Sequence, residues 1–506
     1  MINMSNKYTI GIDFGGTSSK ATLLEDTGRI VATASKEYPS YFPFPGWFEQ
    51  NADELFEVLK LNIRTCLDKS GIDPADILAI SLDAATHMAV LCDGNDKPLR
   101  NFIHWSDKRC TKQVRFVKEN YAELLKKHSV NSVSAAWTLP QLLWLCENEP
   151  ETMAKVRRIY FLKDYLRHRI TGDFYTDHIE AMGAMLSDDV AEQWVSELCE
   201  IVGISVDMLP EIKKPTDIAG VVSGEFAALT GLRAGTPVLV GTTDTVMEVY
   251  ASGAVAEGCA TVKLATAGRI CPVTRGAIPS HQFFNYKHII PGMWYPGTGT
   301  RTCAASYKWY RDVFGQYESV EAEAKGVSAY ELLNRAAEEA PAGADGLIFH
   351  PFLQGEMTPY YDDELCASFT GVKMHHTKGY FTRAVLEGVA YSLRDSIEEI
   401  KAQNIHVDQY RLIGGGAKGR LWRQILADVL ATPLTCTLDN DSSLGSAMMA
   451  GVATGMFSSF DDSVEKCVVV ADTVYPREEN LEVYNRGFAL YRQTVKAMRP
   501  VYHGEF

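Results

Sequence analysis

Residues 8–24 read YTIGIDFGGTSSKATLL. An apolar strand ends on Asp13, a glycine-rich turn carries three hydroxyls, Lys20 follows, and a second apolar strand leads away. Glycine at positions 15 and 16 permits positive φ and leaves the backbone bare, so successive N–H groups can converge on an anion. Thr17, Ser18 and Ser19 add hydroxyl donors, and the segment reads as a hairpin that holds phosphate. Asp13 repels phosphate directly. Its carboxylate suits such a cradle when a hard cation lies between the two, which points to Mg²⁺. The plain alternative is an ordinary type I′ hairpin with a solvated aspartate. The segment is distinct from the Walker pattern, whose GK[ST] opens a helix.

At 506 residues the chain exceeds the size at which one hydrophobic core keeps growing, so two large domains are expected, with ligand bound where domains meet. Its 46% hydrophobic and 22% charged residues suit ordinary globular cores. A net charge of −15 argues against nucleic acid or an anionic membrane as partner. A nucleotide would have to be captured locally, by N–H groups and a cation. The 11 cysteines contain no CxxC pair, which argues against a zinc site or a disulfide framework and suits reduced core thiols. The opening MINMSNKYTI has no apolar leader region, and no apolar run is long enough to cross a bilayer, so the expected location is cytoplasmic.

Along the chain, strand and helix alternate, which predicts α/β layers. Leu55, Phe56, Leu59, Ile63 and Leu67 recur at helical spacing within residues 47–68, and a strand follows at 77–82. A short buried strand at 238–241 leads into TTDTVMEVYASG, where spacing alone reads Asp244 as a helix N-cap. GCATVKLATAGRICPV at 258–273 repeats the outline of the opening hairpin around Thr266 and Gly268, suggesting an internal duplication. Helices are predicted at 379–402 and 419–430, and a small-residue helix at 443–455 suits close approach to another backbone. Within IGGGAKGRLWRQILADVL, 413–430, three glycines between a strand end and a helix start would let adenine or phosphate lie against bare backbone. The domain boundary is placed near residue 253, giving 1–253 and 254–506.

Together with GWFEQNADELF (46–56), TLPQLLWLCENEPE (138–151), FLQGEMTP (352–359) and VLEGVAYSLRD (385–395), these segments resemble the FGGY carbohydrate kinases of the actin-like ATPase superfamily. The resemblance runs in order from about residue 8 to about residue 495. It implies two ribonuclease-H-like domains with an interdomain cleft. The first would bind sugar and carry the first phosphate hairpin and the catalytic aspartate; the second would carry the other hairpin and the adenine site. The implied reaction moves the γ-phosphoryl group of ATP, with Mg²⁺ at Asp13, to a terminal hydroxyl of a ketose or polyol. Asp244 would be the general base, and Gly15, Gly16, Thr17, Ser18, Lys20, Thr266, Gly415, Gly416 and Ala417 would bind nucleotide.

For the sugar, IHWSDKRC (103–110) resembles the family's xWxDxR segment, with Trp105 as an apolar wall, Asp107 as a hydroxyl acceptor and Arg109 positioned to pair with a carboxylate. DAATHMAVLCD (83–93) resembles the MHG-bearing segment of the family's xylulokinases, with His87 at the histidine and Thr86 beside it. This implies D-xylulose as substrate and D-xylulose 5-phosphate as product. The Arg-Glu pair of glycerol kinases is absent from this segment. Four departures stand out: Gln141 where lysine is usual, Ala265-Thr266-Ala267 in place of GTS, Met357 in place of arginine, and Met88 in place of glycine. Ribulose, an alditol, gluconate or a signalling furanone stay open as substrates, as does a non-catalytic ATP-dependent sensor, and a homodimer is left open.

Overall fold

A computed structural model of the chain describes residues 6–505. The first five residues of the opening segment lie outside these. Contacts gather the chain into two compact units, one of residues up to Val255 with Tyr286–Trp294 and Asp439–Val469, the other of Ala256–Asn285, Tyr295–Leu438 and Val470 onward. A single division at residue 253 therefore leaves two later segments of the first unit on the wrong side.

The reason for one of these returns is visible in the opening strand, Tyr8–Phe14. Its period of two sends Ile10, Ile12 and Phe14 into a core shared with Leu55, Phe56, Leu59 and Ile63 of the helix Ala52–Ser70. Thr9, Gly11 and Asp13 take the other face. There the helix Ser442–Ala453 lies so close that a Cβ on Gly11 would stand 1.9 Å from the Ser443 carbonyl oxygen, and Thr9 donates to the Ala447 carbonyl at 2.8 Å. Gly445 of that helix backs onto the Met247 carbonyl in the same way, at 2.3 Å, which fixes the helix Asp244–Ala251 against it. The small-residue helix thus has the close backbone approach its composition predicts.

The sheet of this unit runs in the order Ile218–Val221, Pro237–Leu239, Ile77–Ala84, Tyr8–Phe14, Ser18–Glu25, Ile30–Glu37, with Thr242–Thr243 also paired to Ile77–Ala84. Tyr8–Phe14 is antiparallel to Ser18–Glu25 and parallel to Ile77–Ala84, so Asp13 stands opposite Lys20 on one side and Asp83 on the other. The helix expected over 47–68 begins only at Ala52, capped by Asn51, whose side chain accepts from the N–H groups of Asp53 and Glu54. Before it, Glu49–Gln50 pairs with Phe102–Ile103 as a short strand.

The second unit repeats the arrangement. Its hairpin Cys259–Leu264 and Gly268–Pro272 has Gln409–Ile413 as the parallel neighbour of the first strand, within the order Thr298–Gly299, Gly268–Pro272, Cys259–Leu264, Gln409–Ile413, Leu434–Thr437, Val470–Val474. The helix Lys378–Ala402 supplies much of the core through Val385, Leu386, Val389, Leu393 and Ile397. Among the described residues, no helix is long and apolar enough to cross a membrane.

Candidate active site

Asp13 lies near the end of the opening strand beside Asp83, its partner in strand register, and the two carboxyl groups act on each other's ionisation. Asp83 is wholly buried and also accepts from the Ser446 hydroxyl. One oxygen of each carboxyl, Oδ1 in both cases, is buried without a partner. Burial pushes both groups well above the usual carboxylate range, and the charges of Asp244, Asp441 and Glu248 press Asp13 further. Two such neighbours cannot both ionise unless a positive charge joins them. Unpartnered carboxylate oxygens in an acidic cluster are the donor set of a hard divalent cation, so these residues fit Mg²⁺.

Asp244 is not the N-cap that spacing suggests. The cap position falls on Thr243, which has extended φ/ψ and makes no capping bond, and Asp244 is the first helical residue. Its carboxylate meets the Thr245 hydroxyl at 3.1 Å, and its backbone carbonyl accepts from Ser442 Oγ at 2.9 Å. Glu248 follows one turn later on the same helix.

The turn between the first two strands differs from the reading above in one respect. Neither Gly15 nor Gly16 adopts a positive φ. A Cβ at Gly15 would stand 3.8 Å from Asp13 Oδ2, and one at Gly16 3.7 Å from His104 Nε2, both ordinary contact distances. The Gly15 N–H closes the turn on the Ser18 carbonyl at 3.1 Å, while the Gly15 and Gly16 carbonyls accept from Tyr38 and Gln50. Thr17 is exposed and Ser18 half-buried. The Lys20 ammonium is paired with Asp441, whose other oxygen accepts from Leu444 N–H at the head of the helix Ser442–Ala453.

In the second unit, the carbonyls of Ala265 and Thr266 accept from the N–H groups of Ala304 and Cys303 at 2.8 and 2.9 Å, tying that hairpin to the start of the helix Ala304–Phe314. The Thr266 and Ala267 side chains are exposed. Of the glycine triplet, Gly414 alone has positive φ, 92°, and a Cβ at Gly414 or Gly416 would run into Leu264. Gly415 faces open space, with half-buried Ala417 two residues on.

His87 is held in the left-handed region, φ 70°, by bonds on both sides of its backbone: its N–H donates to Glu180 at 2.7 Å and its carbonyl accepts from Thr138 at 2.7 Å. Burial raises the Glu180 carboxyl to about 8. The imidazole turns its edge to Trp137, 4.6 Å between centroids, over Gly183, where a Cβ would collide with it. Both ring nitrogens are engaged, Nδ1 with the Thr86 hydroxyl at 3.1 Å and Nε2 with the Tyr286 hydroxyl at 2.8 Å. Thr86 and His87 are therefore together as expected, and the imidazole stands as a His87–Tyr286 pair rather than alone. Sequence reading missed Tyr286 and Asp83. Tyr286 lies 199 positions from His87, and Asp83 shows only through strand register.

Trp105 is 44% exposed, suiting a wall. Asp107 requires a correction. It is buried, and its two oxygens accept from the N–H groups of Phe48 and Arg109 and from the Arg109 guanidinium. Arg109 also bonds Glu49 at 2.7 Å and lies over the Trp47 ring at 3.8 Å. In a tight Asp-x-Arg turn the guanidinium folds back on its own carboxylate. Asp107 is thus not an open hydroxyl acceptor, nor is Arg109 free for a substrate carboxylate; the pair clamps the loop.

Residues 8–250 match the model of the N-terminal domain of the FGGY family of carbohydrate kinases, and residues 240–454 that of its C-terminal domain. The chain belongs to this FGGY family. It is therefore a carbohydrate kinase, a phosphotransferase. This FGGY kinase is 32% identical over 492 residues to a xylulose kinase of Bacillus subtilis, covering 96% of each chain. A gluconokinase of Bacillus licheniformis is 29% identical over 509 residues, 98% of this chain and 97% of the other. A crystal structure of xylulose kinase from Rhodospirillum rubrum superposes on the FGGY kinase with a TM-score of 0.89 at 26% identity, covering 98% of this chain and 100% of that one.

Proposed function

We propose that the protein transfers the γ-phosphoryl group of ATP to a terminal hydroxyl of a neutral ketose or polyol of about five carbons, D-xylulose being the first candidate. Asp244 is the general base. The observation that carries this is its carboxylate, which caps no helix and lies near enough to Asp13 to act on its ionisation. It takes the proton of the attacking hydroxyl as the oxygen–phosphorus bond forms and the bond to ADP breaks, a role that contributes about 10²- to 10⁴-fold.

In the first unit the Gly15–Ser18 turn and Lys20 bind phosphate, and Thr86, His87 and Trp105 bind the acceptor. In the second, Gly415, Gly416 and Ala417 bind the nucleotide with Thr266. Asp13 would hold Mg²⁺, which when bound neutralises charge on the transferring group. A neutral acceptor is favoured because Arg109, the residue expected from the sequence to pair with a substrate carboxylate, is already paired with Glu49 and Asp107. Relatives named xylulose kinase support the same choice.

A coupled assay for ADP release with D-xylulose, D-ribulose, xylitol, D-gluconate and glycerol tests the reading. A five-carbon neutral acceptor should give the highest kcat/KM. Preference for gluconate would overturn the neutral pocket, and no turnover with any acceptor would overturn the function.

A further inference from the structure

His104 stands one residue before Trp105, only 2% exposed. Its N–H donates to the Phe48 carbonyl at 2.9 Å, and its ring lies nearly flat on Phe48, 4.0 Å between centroids at 21°. Nδ1 accepts from the Ser106 N–H at 3.2 Å and meets the Ser106 hydroxyl at 2.8 Å. A ring nitrogen that accepts an N–H carries no proton, so the proton of the neutral ring sits on Nε2. Burial lowers the pKa to about 3, which keeps the ring neutral at working pH.

That Nε2–H is buried and has no hydrogen-bond partner. It faces the phosphate hairpin: the atom that a Cβ on Gly16 would meet first, at 3.7 Å, is His104 Nε2. A buried donor left unbonded in a native protein calls for an explanation, and one aimed at an anion-binding turn has an evident acceptor. We propose that His104 Nε2–H donates a hydrogen bond to an oxygen of the transferring phosphoryl group at the Gly15–Ser18 turn. The proposal rests on the kinase reading above and adds a neutral donor whose strength does not vary with pH. Lys20, the cation of the same hairpin, is paired with Asp441 and supplies charge to the phosphate, whereas His104 supplies a neutral donor.

Two variants separate this from a packing role. His104→Phe keeps an aromatic ring on Phe48 and removes the donor; His104→Gln returns an N–H at similar reach. In the ligand-free protein His104→Phe removes an unsatisfied donor and also the Nδ1 partner of Ser106, two effects of opposite sign, so Tm should change little. Its kcat with the best acceptor should fall by at least about 10-fold with acceptor KM unchanged, in line with the loss of one transition-state donor. His104→Gln should recover most of that loss. A lowered Tm with kcat retained, or an effect confined to acceptor KM, would overturn the proposal. If the wild type phosphorylates no acceptor, the kinase reading falls while the contact is still read separately. Stabilisation by adenylyl imidodiphosphate with Mg²⁺ should then be larger for the wild type than for His104→Phe, and equal stabilisation would overturn the contact.

Discussion

Tyr286 occupies the nitrogen through which, on the proposed function, His87 would meet a sugar, so that function requires the two to act as one group. Tyr286→Phe should raise KM for the true sugar and flatten discrimination among epimers, since a site built to bond a hydroxyl rejects analogues far better than an apolar one. Kinetics on paired epimers check this; an unchanged ranking for both Tyr286→Phe and His87→Ala would remove the pair from the pocket. Asp13→Ala should lower turnover by about 10²-fold or more while sugar binding, followed by tryptophan fluorescence, stays near normal, and excess EDTA should abolish wild-type turnover. Full activity in EDTA would contradict a cation at Asp13. Asp13 and His87 stand out as candidates in the sequence because each sits in a local pattern with a chemical reason. Asp83 does not, since its meeting with Asp13 depends on register between strands about 70 residues apart. Asp107 misled because a carboxylate beside a tryptophan reads as open until the fold-back of Arg109 is seen.

Among the elements, the helix Ser442–Ala453 does most to position the site, touching Asp83 through Ser446, Asp244 through Ser442 and Thr22 through Ser443. Its seating depends on two glycines that face carbonyl oxygens. Gly445→Ala should cost about 3 kcal/mol, at the upper end of overpacking effects, because the atom in the way is backbone and cannot rotate aside. Denaturant unfolding measures this, and an unchanged midpoint would show that the helix seats otherwise. The small residues of 443–455 announced a close approach in the sequence, but not its partner. The composition of a helix face states how near a neighbour can come, whereas the neighbour's identity is set by a chain segment more than 400 positions away.

On the scale of the whole molecule, the two-unit α/β plan was legible from chain length and from the alternation of strand and helix, while the return of 286–294 and 439–469 to the first unit was not, because nothing local in those segments marks them as visitors. Buried carboxyls give the molecule a pH signature. Glu180 and Glu356 are raised by burial to about 8 and about 7 from 4.5, and Asp13 is raised as well. From pH 6.5 to 8 the folded protein still holds protons that the unfolded chain has released, so stability should fall as pH rises through this window. Buried His288 and His350, lowered to about 4, are neutral in both states over most of that range and do not offset it. Thermal unfolding in EDTA should show the fall, Mg²⁺ should reduce it, and a rising Tm would contradict the assignment. Whether Asp244 is the general base is decided by the turnover of Asp244→Asn with its best neutral sugar, measured as ADP release beside its Tm and its affinity for ATP. Turnover should fall by at least about 10²-fold with folding and nucleotide binding preserved; near-normal turnover would show that Asp244 is not the base.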